Sequence, residues 1–160
     1  MEQTRRISPS LWFDGNAEDA MAFYRDVFAD FRLVREWRWT KAGPGPEGGL
    51  ISAAFEVLGL QFVAINGGPH YQFTPATSFT IHCRTQAEVD HYWDALLAGG
   101  EAMACGWLTD RFGVTWQIVP DALLDFLADA DAERVGRVTE VMMGMEKLEI
   151  EPLRRAFAGE

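Results

Sequence analysis

Histidine and cysteine are scarce in this chain, with three and two copies in 160 residues. Cys83 and Cys105 lack CxxC spacing, so neither a zinc knuckle nor a disulfide scaffold is indicated, and reduced thiols are the expectation. No apolar run is long enough to span a bilayer. The opening segment Met1–Arg6 is polar and no signal-type apolar run follows it, so a cytoplasmic location is expected. Positive charge is also short. Lys and Arg number 14 against 24 Asp and Glu, a net charge of −10. That field repels phosphate backbones and anionic lipid, which argues against nucleic acid or membrane as a partner.

What is plentiful is aromatic surface. Six Trp and eleven Phe are plentiful for this length and supply aromatic surface for a core, an interface or a pocket. Apolar periodicity divides the chain into two similar halves. In the first, Ile7–Phe13 is β-like and Ala17–Phe28 is helical, with Ala20, Phe23, Tyr24 and Val27 on one stripe. Strands are expected at Phe31–Thr40, Leu50–Val57 and Leu60–Ile65, with Phe31, Leu33, Arg35, Trp37 and Trp39 sharing a face of the first. A Gly- and Pro-rich connector, residues 41–49, separates two of these strands. In the second half Ser78–Arg84 is β-like, Gln86–Ala98 is helical, and Glu101–Leu108 and Val114–Val119 are strands. The helical pairs Phe23-Tyr24 and Tyr92-Trp93 lie about 70 residues apart, which marks two copies of one β-α-β-β-β unit. The expected division is module one at 5–68, a linker at 69–77, module two at 78–120, and a helical tail at 121–160. The tail carries an apolar stripe of Val135, Val138, Val141, Met142 and Met145, read as packing or dimer surface.

The stretch Ile65-Asn-Gly-Gly-Pro-His70 is easily mistaken for a phosphate or metal loop. No helix follows to aim its N-terminus at an anion, so a sharp exit from the sheet is the simpler reading. In strand 78–84 alternation puts Phe79, Ile81 and Cys83 toward helices and Ser78, Thr80 and His82 on the other face. The same argument groups Ser8, Ser10 and Trp12, then Thr115 with Gln117, then Phe62, Ala64 and Asn66. Aromatics, hydroxyls, amides and one imidazole on such faces suit a small-molecule pocket. His82 reads either as a general base or as a hydrogen-bonded strand histidine. Asp110 and Arg111 read as a turn ion pair or as rim contacts to a polar ligand.

The stretches LWFDGNAEDAMAFY, AINGGPHYQF, CGWLTDRFGVTWQIVP and MGMEKLEIEPLRRAF resemble the PhnB-like family, often labelled 3-demethylubiquinone-9 3-methyltransferase. That family belongs to the vicinal-oxygen-chelate superfamily of glyoxalases, bleomycin-resistance proteins and extradiol dioxygenases. The resemblance implies an α+β fold of two βαβββ modules forming a cupped mixed sheet, extra C-terminal helices and a homodimer. It also implies a ligand cup, for which the candidate binding residues are Trp12, Phe62, Asn66, Ser78, Thr80, Trp107, Asp110, Arg111, Trp116 and Gln117. Metal-dependent relatives take ligands from positions that correspond here to Ser8 or a neighbour on the first strand, Ala64, Ser78 and Gln117. A methyl, two hydroxyls and an amide are a poor divalent site, so no cofactor is expected, with a divalent metal left open. Three activities follow as expectations: metal-free binding of a partly aromatic metabolite, metal-dependent lyase, isomerase or dioxygenase chemistry, and methyl transfer. Methyl transfer wants a doubly wound parallel sheet and a glycine turn opening a helix, and neither pattern is present.

Overall fold

The structure is a computed structural model that describes residues 7–160. The segment Met1–Arg6, with the first two positions of module one, lies outside the described residues. The chain is α+β, in the order β1(Ser10–Phe13), α1(Ala17–Val27), β2(Arg32–Arg38), β3(Leu50–Val57), β4(Leu60–Asn66), β5(Phe79–Cys83), α2(Gln86–Leu97), β6(Glu101–Ala102), β7(Trp107–Thr109), β8(Thr115–Pro120), α3(Asp121–Leu127), α4(Ala132–Met143) and α5(Ile150–Ala158). Two β-α-β-β-β modules are followed by three C-terminal helices, as the sequence led one to expect. Their strand orders match, β1-β4-β3-β2 and β5-β8-β7-β6. In each sheet the first and last strands of the module are parallel neighbours and the other pairs are antiparallel. Two compact units divide at Gln72 and Phe73.

Unit one buries one sheet face against α1. Leu11, Phe13, Tyr24, Val27, Phe55 and Phe62 are all under 5% exposed. Phe55 stacks on Tyr24, Phe31 and Phe62 with ring centroids at 5.9, 5.5 and 5.4 Å. Strand β2 departs from the single-face expectation. Leu33 pairs with Phe55 while Arg35 pairs with Ala54, a one-residue slip at Val34. Such a bulge reverses the side-chain face. Leu33 therefore follows Phe55 on the helix side, and Arg35 and Trp37 follow Ala54 and Ser52 on the open side.

The glycine-rich connector after β2 is explained by one indole. A Cβ at Gly43 or Gly45 would come within 2.3 Å of the Trp39 ring. Gly48 donates to the Trp39 carbonyl at 2.9 Å, and Trp39 donates to Gly49 at 2.8 Å. The segment wraps its own tryptophan.

Unit two packs α2 on the corresponding face. Ile81, Cys83, Val89, Trp93, Leu96, Leu108, Trp116 and Ile118 form the buried set. Thr85 caps α2 by accepting from Glu88 N at 3.2 Å, and Glu88 reaches back to the Arg84 amide at 2.7 Å. The expected strand 101–108 is broken into β6 and β7. Cys105 and Gly106 take φ of 60° and 82°, and their amides donate to Met145 and Glu146 instead of to a strand partner. That switch docks the helical tail on module two, within the same unit. Val119, Leu123, Val138, Leu148, Leu153 and Ala156 form its buried cluster, with Val141, Met142 and Met145 packed against it. Gln86 accepts from Ile150 N at 2.8 Å, and Lys147 meets Asp90 at 2.8 Å. The Asp90 carboxyl is held below its usual range by Lys147 and Gln86.

Candidate functional site on the open face of unit two

Register places three of the anticipated residues together, and a hydrogen bond adds a fourth. Thr80 pairs with Gln117 across the parallel β5–β8 ladder, and Trp107 pairs with Gln117 across the antiparallel β7–β8 ladder. Directly paired residues share a face, so Thr80, Gln117 and Trp107 line the side opposite α2. Ser78 joins them, because its hydroxyl accepts from Gln117 Nε2 at 2.8 Å. Ser78, Trp107 and Gln117 are half-buried and Thr80 is exposed. Thr115 lies on the same face, paired with Thr109. It is only 1% exposed, and its hydroxyl oxygen has no hydrogen-bond partner among the described residues. The result is a neutral patch of one indole, one amide and several hydroxyls.

His82 lies further along β5, paired with Val119. Its Nδ1 stands 3.7 Å from an Asp121 carboxylate oxygen, and the two side chains are 59% and 48% exposed. It therefore sits at the end of the strand, beside the start of α3.

Five anticipated ligand contacts are placed elsewhere by the structure. Phe62 faces the core, 1% exposed and stacked on Phe55, so the parity assigned to β4 is reversed. The face that β4 shares with Ser10 and Trp12 carries Val63 and Ile65. Ala64 is fully buried on the helix side, where its methyl can hold no metal. Asn66 is likewise turned toward α1. Its Oδ1 accepts from Ala17 N at 2.9 Å, and its Nδ2 donates to the Leu50 carbonyl at 3.2 Å. It satisfies a first-turn amide that no helical carbonyl reaches. Trp116 is 3% exposed on the α2 side and packs on Phe79 at 5.6 Å.

Asp110 is a buried structural carboxylate, not a rim contact. At 3% exposure it accepts from Phe112 N at 2.9 Å, Val114 N at 3.0 Å and Trp116 Nε1 at 2.9 Å. Arg111 donates its Nε to the Ala98 carbonyl at 3.0 Å, satisfying the C-terminal end of α2 where a cation is favoured. The stretch Asp110-Arg-Phe-Gly-Val-Thr-Trp116 is thus a folding device, closed by Gly113 at a φ of 86°.

Trp12 is on the open face of unit one. Its indole N–H donates to Gly68 O at 2.8 Å, and its ring meets Tyr71 edge-on at 5.0 Å. A Cβ on Gly67 would lie 2.0 Å from that indole. Gly67 therefore lets Trp12 lie over the exit loop, while Gly68 takes a positive φ of 87°.

The donor set does not fit a divalent cation. Ser78 and Gln117 are neutral and spend a donor and an acceptor on each other, and Ala64 has nothing to offer. Among the described residues no group of three or more His, Cys, Asp or Glu is arranged to hold a metal. Cys83 is buried on the helix side, and burial pushes its thiol up to about 12.

The sequence reading missed Arg35 and Trp37, which line a hollow of about 340 Å³ on the open face of unit one with Glu36, Ser52, Ala54 and Val63. The signal was there in the polar-apolar irregularity of β2, but the bulge that aims both residues outward leaves no mark in composition.

No curated protein sequence matches the chain. A structure described as a putative 3-demethylubiquinone-9 3-methyltransferase, PhnB protein, from Bacillus cereus is 34% identical. The match covers 72% of this chain and 99% of that one, with a TM-score of 0.66. The fosfomycin resistance protein FosX from Listeria monocytogenes matches at 16% identity over 79% of this chain and 99% of its own, with a TM-score of 0.58. A second FosX structure, described as complexed with Mn(II) and sulfate, matches at 17% identity over 72% and 90% of the two chains, with a TM-score of 0.50. At those identities FosX shares the fold. The family model described as 3-demethylubiquinone-9 3-methyltransferase matches residues 5–119, and the chain belongs to that PhnB-like family of the vicinal-oxygen-chelate fold.

Proposed function

We propose that the protein binds a small, uncharged, partly aromatic molecule on the open face of unit two, without a metal ion. The observation that carries this reading is the Gln117–Ser78 hydrogen bond of 2.8 Å beside Trp107. Two positions where metal-dependent relatives place ligands are neutral here and tied to each other. Trp107 offers a ring face, while Ser78, Thr80 and Gln117 offer hydroxyls and an amide that orient a carbonyl or hydroxyl. That combination, apolar with a few convergent polar groups, is how small-molecule sites are built. A net charge of −10 favours a neutral or cationic ligand over nucleic acid.

Methyl transfer, the activity in the family's label, finds no support in the local chemistry. The only dense glycine segment is folded around Trp39, and both sheets have antiparallel pairs where a doubly wound fold has parallel ones. The reading includes a homodimer, supported by the superfamily resemblance and by abundant aromatic surface.

The test is a thermal-shift screen of neutral aromatic carbonyl and phenol compounds in the presence of EDTA. Calorimetry on any hit then compares Gln117→Ala and Trp107→Ala with the parent. The expected result is binding that survives EDTA and weakens about tenfold in each variant, the order of one lost hydrogen bond or ring contact. Unchanged affinity in both variants would remove this face as the site.

A further inference from the structure

The open face of unit one carries an arrangement that the site above does not use. The bulge at Val34 turns Arg35 and Trp37 onto the side bearing Ser52, Ala54 and Val63. Small side chains on the central strand, Ser52 and Ala54, form a floor. Arg35 and Trp37 on β2 make one wall and Val63 on β4 makes the other, enclosing the hollow of about 340 Å³. This lies at the lower end of the range for ligand pockets, about 300–1,000 Å³. Trp37 is 65% exposed, a large indole surface left in water.

Three arginines lie on β2, and their partners separate them. Arg32 meets Glu56 at 3.3 Å. Arg38 meets Glu36 at 2.8 Å and Glu18 at 2.9 Å, and donates to the Gly48 carbonyl at 3.0 Å. Arg35 makes no hydrogen bond or ion pair with any described residue. Glu36 also borders the hollow, but its carboxylate is engaged by Arg38. One uncommitted guanidinium therefore stands beside one exposed indole above a floor of small residues. In a protein of net charge −10, an anion is held only where a specific cation faces it.

We infer that this hollow binds a small planar aromatic carboxylate, with the carboxylate on Arg35 and the ring against Trp37. A guanidinium offers parallel N–H donors that match both carboxylate oxygens, which an ammonium does not. The indole face supplies stacking area, and Ala54 lets the ring approach the sheet. The inference goes beyond the proposed function, since it uses unit one alone and needs a charged ligand.

The experiment is an NMR titration of the full chain with benzoate and, separately, with its uncharged counterpart benzamide. The Trp37 indole N–H resonance, assigned with Trp37→Phe, is the reporter. Benzoate is expected to shift it saturably, with benzamide at least tenfold weaker. Arg35→Met removes that tenfold advantage, Arg35→Lys keeps part of it, and Gln117→Ala leaves the titration unchanged. Arg35 is exposed and unbonded, so its variants are expected to melt with the parent. The inference is overturned by equal affinity for benzoate and benzamide, by a benzoate titration insensitive to Arg35→Met, or by no saturable shift of Trp37. An equal loss in Gln117→Ala would also overturn it, because the binding would then belong to unit two.

Discussion

Replacing Asp110 by alanine should be among the most damaging single substitutions in the chain, although Asp110 lies in a turn. Its carboxylate accepts from two backbone amides and the Trp116 indole at 2.9–3.0 Å, in a setting where Asp110, Val114 and Trp116 are each 3% exposed or less. Hydrogen bonds to a charged group contribute about 1.5–3 kcal/mol each, and a buried donor left unsatisfied costs about 1–3 kcal/mol. Water can enter the turn once the carboxylate is gone, so the sum is an upper bound. The expected loss is about 3–5 kcal/mol, a large share of the roughly 5–15 kcal/mol that holds a domain folded. Asp110→Asn keeps the shape but turns an N–H toward one of the donors, and should lose about 1–3 kcal/mol. Urea unfolding of the parent, both variants, Trp116→Phe and the double variant reads this directly. The Asp110–Trp116 pair should show a coupling of about 1 kcal/mol or more. A loss under about 1 kcal/mol for Asp110→Ala at unchanged m-value would refute the assignment of this carboxylate as the clasp of the turn.

Asn66→Ala should lower stability by about 1 kcal/mol through the lost contacts to Ala17 and Leu50, while Asn66→Asp keeps the acceptor for Ala17 and should lose less; chemical denaturation separates them. Gly67→Ala should displace the Trp12 ring, costing about 1–3 kcal/mol and shifting tryptophan emission, because the new methyl would fall 2.0 Å from the indole. Cys83, with its thiol raised from 9.0 to about 12 by burial, should resist thiol reagents until the protein unfolds. Its protonated form is favoured by folding, so this contribution is complete below pH 9 and is lost as pH rises toward about 12; a Cys83→Ala variant should show a shallower alkaline decline of melting temperature.

The fold was readable because its signals are periodic. Apolar stripes at helical spacing in residues 17–28 and 86–98, and the return of one unit about 70 residues later, depend only on which residues are apolar. The face assignments were readable where the two faces differ in kind. In β5, Ile81 and Cys83 are buried while Thr80 and His82 are exposed, following the alternation in the sequence. In β4 both faces are apolar, Phe62 and Ala64 on one and Val63 and Ile65 on the other, so alternation cannot say which is inward. Asn66 at the end of that strand was misplaced with it.

Other features were hidden for different reasons. The bulge at Val34 breaks alternation without any glycine or proline to announce it, and it re-aims Arg35 and Trp37. Asp110 and Arg111 look like surface charges in sequence, since only the closed turn shows the carboxylate facing inward and the guanidinium capping α2. Polar residues near a presumed pocket were over-read as ligand contacts when their nearest need was to satisfy backbone amides and carbonyls.

If the open face of unit two recognises its ligand through Ser78, Trp107 and Gln117 without a metal, the chain holds no stoichiometric divalent ion. Elemental analysis of protein purified without chelator, before and after addition of Mn(II) and dialysis, reads this stoichiometry. Well under one equivalent of divalent metal per chain is expected in both samples, and the same trace level in Gln117→Ala. One tightly held divalent ion per chain, lost on Gln117→Ala, would contradict it.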